Sequence, residues 1–110
     1  MNNYKDDTRS NVVKKLNKCV KAMKVSRRIE KGIYNYAIGY ALDKNIRREW
    51  TNLMFFRVYM GKVISVYSNL DSKCYIGNTT LLERLKNNEL NPGEIAAMSS
   101  YDIYPEIWAT

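Results

Sequence analysis

The sequence predicts an all-α fold of three long helices followed by shorter ones. Two observations lead to this prediction. Apolar residues recur at spacings of three and four along three long segments, and the stretches between the segments contain residues that begin or end helices. The chain has 110 residues, of which 45% are hydrophobic and 26% are charged. It therefore suits one globular domain and is too apolar for a disordered tail.

The first two helices are predicted from their stripes and their caps. The first is expected to begin near Asp7 or Thr8, which are favourable N-cap residues. Its apolar stripe consists of Val12/Val13, Leu16, Val20 and Met23. Ser26 is predicted to cap the second helix, which is expected to end near residues 43–45. The stripe of this second helix consists of Ile29, Ile33, Tyr36/Ala37 and Tyr40.

The third helix is predicted to be the longest, from about Ile46 to Asn69. Residues 53–70 are rich in β-branched and aromatic types, so a strand is the competing interpretation, but the length without a Gly-Pro break favours a helix. Apolar residues lie on more than one side, which predicts a central position in the bundle. They are Trp50, Leu53, Met54, Met60, Val63, Ile64, Val66, Tyr67 and Leu70.

Short helices are predicted after a loop at residues 71–77. Asn78-Thr79-Thr80 is expected to open the first, and Asn87-Asn88 to end it, because Asn tolerates the left-handed conformation of a helix stop. Its buried side chains are predicted to be Leu81, Leu82 and Leu85. Asn91-Pro92-Gly93-Glu94 is a helix start with Asn91 as cap and Pro92 at the first helical position. Ser99 is predicted to cap a further short helix.

Positive charge is concentrated in the first third of the chain. Residues 1–31 contain ten Lys and Arg but three acids, whereas residues 32–110 contain eight of each sign. The whole net charge of +7 therefore belongs to one end of the sequence. Such a patch attracts nucleic acid, anionic lipid or an acidic protein surface, unless it is merely a solvated lysine face.

The residue inventory argues against catalysis in this chain. There is no His, the commonest general base and metal ligand. Two cysteines, Cys19 and Cys74, are too few for a structural zinc site, and we expect free thiols buried as small hydrophobes. Ser99 is better explained as a cap than as a nucleophile. The remaining acids have no fixed pairing, for example Glu30, Asp43, Glu49, Asp71, Asp102 and Glu106.

Membrane insertion and secretion are not expected either. The longest uncharged stretch, residues 32–42, is about half of the roughly 20 apolar residues that a membrane span needs. The first seven residues lack the apolar core of a signal peptide. No motif for a small-molecule substrate is present.

The most specific pattern lies in the C-terminal third. It reads Asn78-Thr79-Thr80-Leu81-Leu82-Glu83-Arg84-Leu85, Leu90-Asn91-Pro92 and Ile95-Ala96-Ala97-Met98-Ser99, with Ile103 and Glu106 beyond. Earlier motifs are Asp6-Asp7-Thr8-Arg9, Ile29-Glu30 and Ser68-Asn69-Leu70. Over about residues 6–108, this combination resembles the central domain of the transcription elongation factor TFIIS.

The resemblance implies a three-helix bundle with short additional C-terminal helices, as a single domain of residues 1–110 cut from a longer protein. It implies docking on the largest subunit of a multisubunit DNA-directed RNA polymerase. A separate C-terminal zinc ribbon, positioned by this domain, would stimulate transcript cleavage in stalled complexes, so zinc is expected there and no cofactor in this chain. The polymerase contacts expected on this basis are Arg57, Tyr59, Lys62, Asn69 and Lys73.

The chain departs from the family pattern at several positions. Ile64 and Val66 stand where the family has basic residues, Asn88 replaces the glycine of the turn, and Thr79 replaces a proline. These differences indicate a divergent member from a large DNA virus or a protist, located in the nucleus or, if viral, in the host cytoplasm or virion. An exposed apolar ridge at Ile64 and Val66 would be an interaction site.

The alternative hypothesis is a nonspecific nucleic-acid-binding module. The first helix offers lysines rather than base-reading side chains, so it would contact phosphates without sequence preference. Aromatic residues could stack on single-stranded bases, but core packing is the preferred use of Trp50, Tyr36 and Tyr40. The candidate phosphate contacts are Lys14, Lys15, Lys18 and Lys21.

Overall fold

Three long helices form the body of the protein: α1 (Tyr4–Val20), α2 (Met23–Lys44) and α3 (Leu53–Leu70). They are followed by α4 (Thr80–Lys86), a 3₁₀ helix (Pro92–Ala97), α5 (Ser100–Ile103) and α6 (Pro105–Trp108). The computed structural model describes residues 4–71, 73–74 and 76–108, and within these ranges the side chains of residues 8–106. No strand occurs in the described ranges. The predicted all-α fold, a three-helix bundle with short C-terminal helices, is therefore confirmed.

The connection between α1 and α2 differs from the prediction. α1 begins at Tyr4 rather than near Asp7, because acidic residues suit the first turn of a helix as well as its cap. The two-residue connection has Lys21 in the left-handed region, with φ 56°. α2 therefore begins at Met23, and its N-cap residue Ala22 makes no side-chain cap. Ser26 is not a cap either: it is fully buried, and its hydroxyl donates to Asn17 Oδ1 at 3.2 Å.

The buried stripe of α2 runs through alanines instead of tyrosines. Ile29 and Ile33 are buried as predicted, and the stripe continues at spacings of four through Ala37 and Ala41. Tyr36 and Tyr40, predicted to be in the core, are therefore exposed on the flank. The helix ends at Lys44 as predicted, because Asn45 adopts the left-handed conformation that stops it.

α3 begins later than the prediction but is central, as expected. It starts at Leu53 instead of Ile46, since Asn52 caps it by accepting from Met54 N at 2.9 Å and Phe55 N at 3.4 Å. Trp50 precedes the helix and packs edge-on against Tyr59, with ring centroids 4.8 Å apart. α3 contacts α1, α2, α4 and the 3₁₀ helix. Its inner face buries Phe55, Tyr59, Val63, Val66 and Leu70.

The C-terminal elements follow the predicted caps. α4 buries Leu81 and Leu85, and it is followed by Asn88 with φ 61°. Asn91 accepts from Gly93 N at 3.0 Å and starts a helix of the 3₁₀ type. Ser99 Oγ accepts from Asp102 N at 3.1 Å and caps α5. None of the helices in the described ranges is long and apolar enough to cross a membrane.

The 3₁₀ helix approaches α2 at a glycine. A Cβ on Gly32 would overlap the carbonyl oxygen of Gly93, which is backbone and cannot move aside. The packing between α2 and the 3₁₀ helix therefore depends on the missing side chain of Gly32. This contact attaches the C-terminal segment, including buried Ile95 and Ala96, to the bundle.

Candidate docking surface

One face of α3 remains exposed along most of the helix. Leu53, Arg57, Gly61 and Ile64 follow at spacings of four, four and three, which places them on one side of the helix, with Met54 beside them. The exposed fraction is 58% for Leu53, 61% for Met54 and 60% for Ile64. Arg57 and Gly61 are exposed as well. We call these five residues the α3 stripe.

The orientation of the α3 stripe is fixed from the opposite side of the helix. Burial of Phe55, Val63 and Leu70 leaves no freedom for α3 to rotate. The cap made by Asn52 sets the residue at which the helix begins. Gly61 has no side chain and therefore keeps the middle of the stripe flat. A Cβ at this position would face open space, with no other atom within 4 Å. The stripe is thus a rigid ridge of apolar side chains with one central guanidinium.

Arg57 and Lys62, both expected to contact the polymerase, lie on different faces of α3. Five positions along a helix separate two side chains by about 140°. Lys62 is half-buried and directed towards α2, where its Nζ lies 4.2 Å from the centroid of the Tyr36 ring. Burial lowers the pKa of Lys62. Only Arg57 of this pair belongs to the α3 stripe.

Tyr59 cannot be a surface contact, and that prediction is wrong. It is fully buried, and its hydroxyl donates to Glu30 Oε2 at 2.7 Å. Glu30 is 3% exposed and also accepts from Arg9 Nε at 2.7 Å and Nη2 at 2.8 Å. Burial, and then the hydrogen bond to Glu30, raise the pKa of Tyr59 far above its ordinary value. Tyr59 therefore belongs to a buried polar network that joins α1, α2 and α3.

Asn69 acts as a link between α3 and the C-terminal segment. Its side-chain amide donates to Ser65 O at 2.9 Å, and its oxygen accepts from Asn78 Nδ2 at 3.1 Å. Asn78 is fully buried and also donates to Ile103 O at 3.1 Å. Its oxygen accepts from the backbone of Thr80 at 3.1 Å, at the start of α4. Asn69 is half-buried, and both ends of its side-chain amide are hydrogen-bonded within the chain. It therefore has less surface and fewer free polar atoms for a partner than an exposed side chain would have.

Lys73 lies in a groove with other lysines rather than beside Arg57. Lys18, Lys21, Lys73 and Lys86 line one groove of about 310 Å³, whose other walls include Tyr67 and Cys19. Arg57 stands thirteen positions before the end of α3, a helical distance of about 20 Å. The structure therefore does not bring the five predicted polymerase contacts together. Arg57 is on the α3 stripe, Lys62 faces α2, and Tyr59 is in the interior. Asn69 and Lys73 lie at and beyond the C-terminal end of α3.

The lysines of the alternative hypothesis are all at the surface. Lys14, Lys15, Lys18 and Lys21 are exposed, and Lys15 Nζ lies 4.7 Å from the centroid of the Tyr67 ring. The first half of α2 adds four more exposed cations. These are Lys24, Arg27, Arg28 and Lys31.

The cysteines are free thiols, as expected, but they are half-buried rather than buried. Cys19 contacts the Tyr67 side chain, and burial raises the pKa of its thiol. No cluster of three or more His, Cys, Asp or Glu that could hold a metal ion occurs within residues 4–71, 73–74 and 76–108.

The surface features described above leave two candidate binding surfaces, one on α3 and one on α1–α2.

Comparisons with known proteins do not assign the chain to a family. No protein-family model, no curated protein and no solved structure matches it. Two hydrogen-bonded pairs join residues that belong to different sequence motifs. Arg9 binds Glu30, and Asn69 binds Asn78, so the four residues hold separate elements together.

The sequence identified Arg57 and Ile64 but missed the rest of the α3 stripe and the buried role of Glu30. The apolar ridge predicted at Ile64 and Val66 is wrong for Val66, which is fully buried on the inner face of α3. The spacing of Leu53, Arg57, Gly61 and Ile64 could have revealed the stripe, because four positions of one helical face carry large apolar, basic or no side chains. Glu30 gives a weaker signal. It lies between Ile29 and Ile33 on a stripe, where an acid requires a partner from another element.

Proposed function

We propose that this chain is a docking domain that binds a multisubunit RNA polymerase through the α3 stripe and positions a separate zinc ribbon. The ribbon, in a neighbouring domain, would stimulate transcript cleavage in stalled complexes. In this proposal the chain itself binds and performs no reaction. The observation that carries the proposal is the α3 stripe, in which three large apolar side chains are left at the surface around Arg57.

The composition of the stripe suits a protein partner. Arg and large apolar residues are the types that dominate binding energy at the centre of interfaces. Burying an exposed Leu, Ile or Met side chain contributes about 1.5–3 kcal/mol, which is offset in part by the cost of association. A nucleic acid would gain little from Leu53, Met54 and Ile64. The proposal takes the polymerase and the zinc ribbon from the resemblance of the sequence motifs to the TFIIS central domain.

The test is binding of the labelled chain to the purified multisubunit RNA polymerase of the source organism. Arg57→Glu and Ile64→Asp should each weaken binding by at least about tenfold, since each removes a contact worth more than 1 kcal/mol. Lys24→Glu reverses an exposed charge on α2 and is the matched control, expected to change affinity less than about threefold. Helical circular dichroism verifies that every variant is folded. Normal binding by both stripe variants would refute the proposal.

Nucleic-acid binding is the second candidate, favoured by eight exposed cations within residues 14–31. Duplex and single-stranded DNA are titrated beside the polymerase across a salt series. Phosphate contacts predict that log affinity falls by about 0.9 per neutralised phosphate for each decade of salt. Charge reversal of Lys14, Lys15, Lys18 and Lys21 should then abolish binding, while the stripe variants should bind as the wild type does. DNA binding without polymerase binding would favour this candidate.

A further inference from the structure

A second groove lies between α1 and the first half of α2. It has a volume of about 520 Å³ and is open to solvent. α1 contributes Val13 and Lys14, and α2 contributes Met23, Arg27 and Lys31. The volume is within the range of about 300–1,000 Å³ that is typical of ligand-binding clefts.

The groove has an apolar part at the surface. Met23 is the first residue of α2 and is 39% exposed, while Val13 is half-buried beside it. Met23 was predicted to extend the buried stripe of α1. Because α1 ends at Val20, Met23 instead lies on α2 and is directed into the groove. A flexible thioether side chain at the surface adapts readily to an apolar group of a partner.

The charge at the rim of the groove is positive. Lys14, Arg27 and Lys31 are exposed and line it. Glu30 also lines the groove, but its two oxygens accept from both Arg9 nitrogens and from Tyr59. The Arg9 guanidinium balances the charge of the Glu30 carboxylate, so an approaching anion meets the three rim cations.

We propose that this groove binds an acidic segment of a partner protein, which inserts an apolar side chain against Val13 and Met23. Carboxylates of the segment contact Lys14, Arg27 and Lys31. Charge complementarity selects an acidic partner, and the apolar part selects a peptide over a phosphate backbone, which carries no apolar group to fill it. The proposal is independent of polymerase docking, because the α3 stripe contributes no residue to the groove.

The test uses a fluorescein-labelled synthetic peptide in which two leucines, three positions apart, are flanked by glutamates. Two control peptides separate the contributions: one replaces both leucines with serine, and one replaces every glutamate with glutamine. Oligothymidylate of similar charge is the nucleic-acid probe. We expect the parent peptide to bind at least about tenfold more tightly than each control.

Two sets of variants with the same change in net charge locate the site. The groove set is Lys14→Gln, Arg27→Gln and Lys31→Gln. The matched set is Lys18→Gln, Lys21→Gln and Lys24→Gln, which removes three exposed lysines outside the groove. The groove set and Met23→Gln should each weaken peptide binding by about tenfold, and the matched set by less than about threefold.

Methyl labelling of methionine distinguishes this site from the α3 stripe. Peptide binding should shift the Met23 methyl resonance and leave that of Met54 in place, whereas polymerase docking is proposed to involve Met54. Equal losses in the two variant sets, or equal binding of the serine control, would show general charge attraction and overturn the proposal. A Met23 shift caused equally by oligothymidylate would overturn it in favour of nucleic acid. Failure of polymerase docking would leave these results unaffected.

Discussion

Replacing Glu30 with Gln should destabilise the fold strongly although the two side chains have the same shape. Glu30 is 3% exposed and accepts three hydrogen bonds, two from Arg9 and one from Tyr59. Gln keeps one oxygen but turns a donor amide towards Arg9 or Tyr59. The two donor nitrogens of Arg9 then face one acceptor oxygen instead of two, and the guanidinium loses the opposite charge beside it.

The magnitude follows from the kinds of bonds lost. A hydrogen bond to a charged group contributes about 1.5–3 kcal/mol, against about 0.5–1.5 kcal/mol for a neutral one. Breaking a buried ion pair costs about 3–5 kcal/mol, but the Arg9 side chain is 28% exposed and recovers part of its hydration. We therefore expect a loss of about 2–4 kcal/mol, a large fraction of the roughly 5–15 kcal/mol by which small domains are stable.

The assay is urea unfolding followed by helical circular dichroism. With a denaturant slope of about 2 kcal/mol/M, the middle of the usual range for a small domain, the midpoint should fall by about 1–2 M. Glu89→Gln is the matched control, because Glu89 is exposed and a surface change of this kind stays within about 0.5 kcal/mol. If Glu30→Gln unfolds at the same urea concentration as Glu89→Gln, the network contributes nothing to stability and the reasoning fails.

Two further predictions concern the interior. The pKa of Tyr59 is raised above its ordinary value of 10.0, so stability from this group is fully present below pH 10 and falls above it, by up to about 1.4 kcal/mol per pH unit. Tyr59→Phe should lack that decline when urea midpoints are compared from neutral to alkaline pH, and parallel curves would contradict the assignment. Gly32→Ala should cost about 1–3 kcal/mol because its Cβ would overlap Gly93 O. Gly39→Ala, in open space on α2, should instead stabilise by about 0.5–1 kcal/mol in the same assay, and equal midpoints for the two variants would disprove the close contact.

Local patterns predicted the helix ends that are determined by neighbouring residues. Asn45, Asn91 and Ser99 act where the sequence places them, because each bonds to backbone within a few positions. The prediction failed at Ser26, where the hydroxyl bonds to Asn17 of another helix. A hydroxyl near a helix start suits both roles, and only the packing of α1 against α2 decides between them.

The predicted start of α3 was wrong for a related reason. The period of three and four extends back to Trp50, which indeed packs on the core. It does so from the preceding turn, since Asn52 caps the helix two residues later. A period shows that a residue faces the core, but it does not show that the residue belongs to the helix. The same limit explains Met23, which satisfies the period of α1 while lying on α2.

Within the candidate site, the type of residue was a poorer guide than its position around α3. Tyr59 and Arg57 are both capable of binding a partner, and they are only two positions apart. Two positions turn the helix by about 200°, so one side chain completes the network with Glu30 and the other is exposed. The two residues can be distinguished only when it is known which side of α3 faces the core.

This division of α3 separates stability from binding. Residues of the inner face cannot be changed without disturbing the core, and Tyr59 carries a hydrogen bond there that no partner can reach. Leu53, Arg57 and Ile64 are all exposed and therefore contribute little to the core. Loss of polymerase binding caused by Arg57→Glu or Ile64→Asp, at unchanged stability, therefore reports the docking surface itself. The same loss caused by a change at Tyr59 would report only the fold.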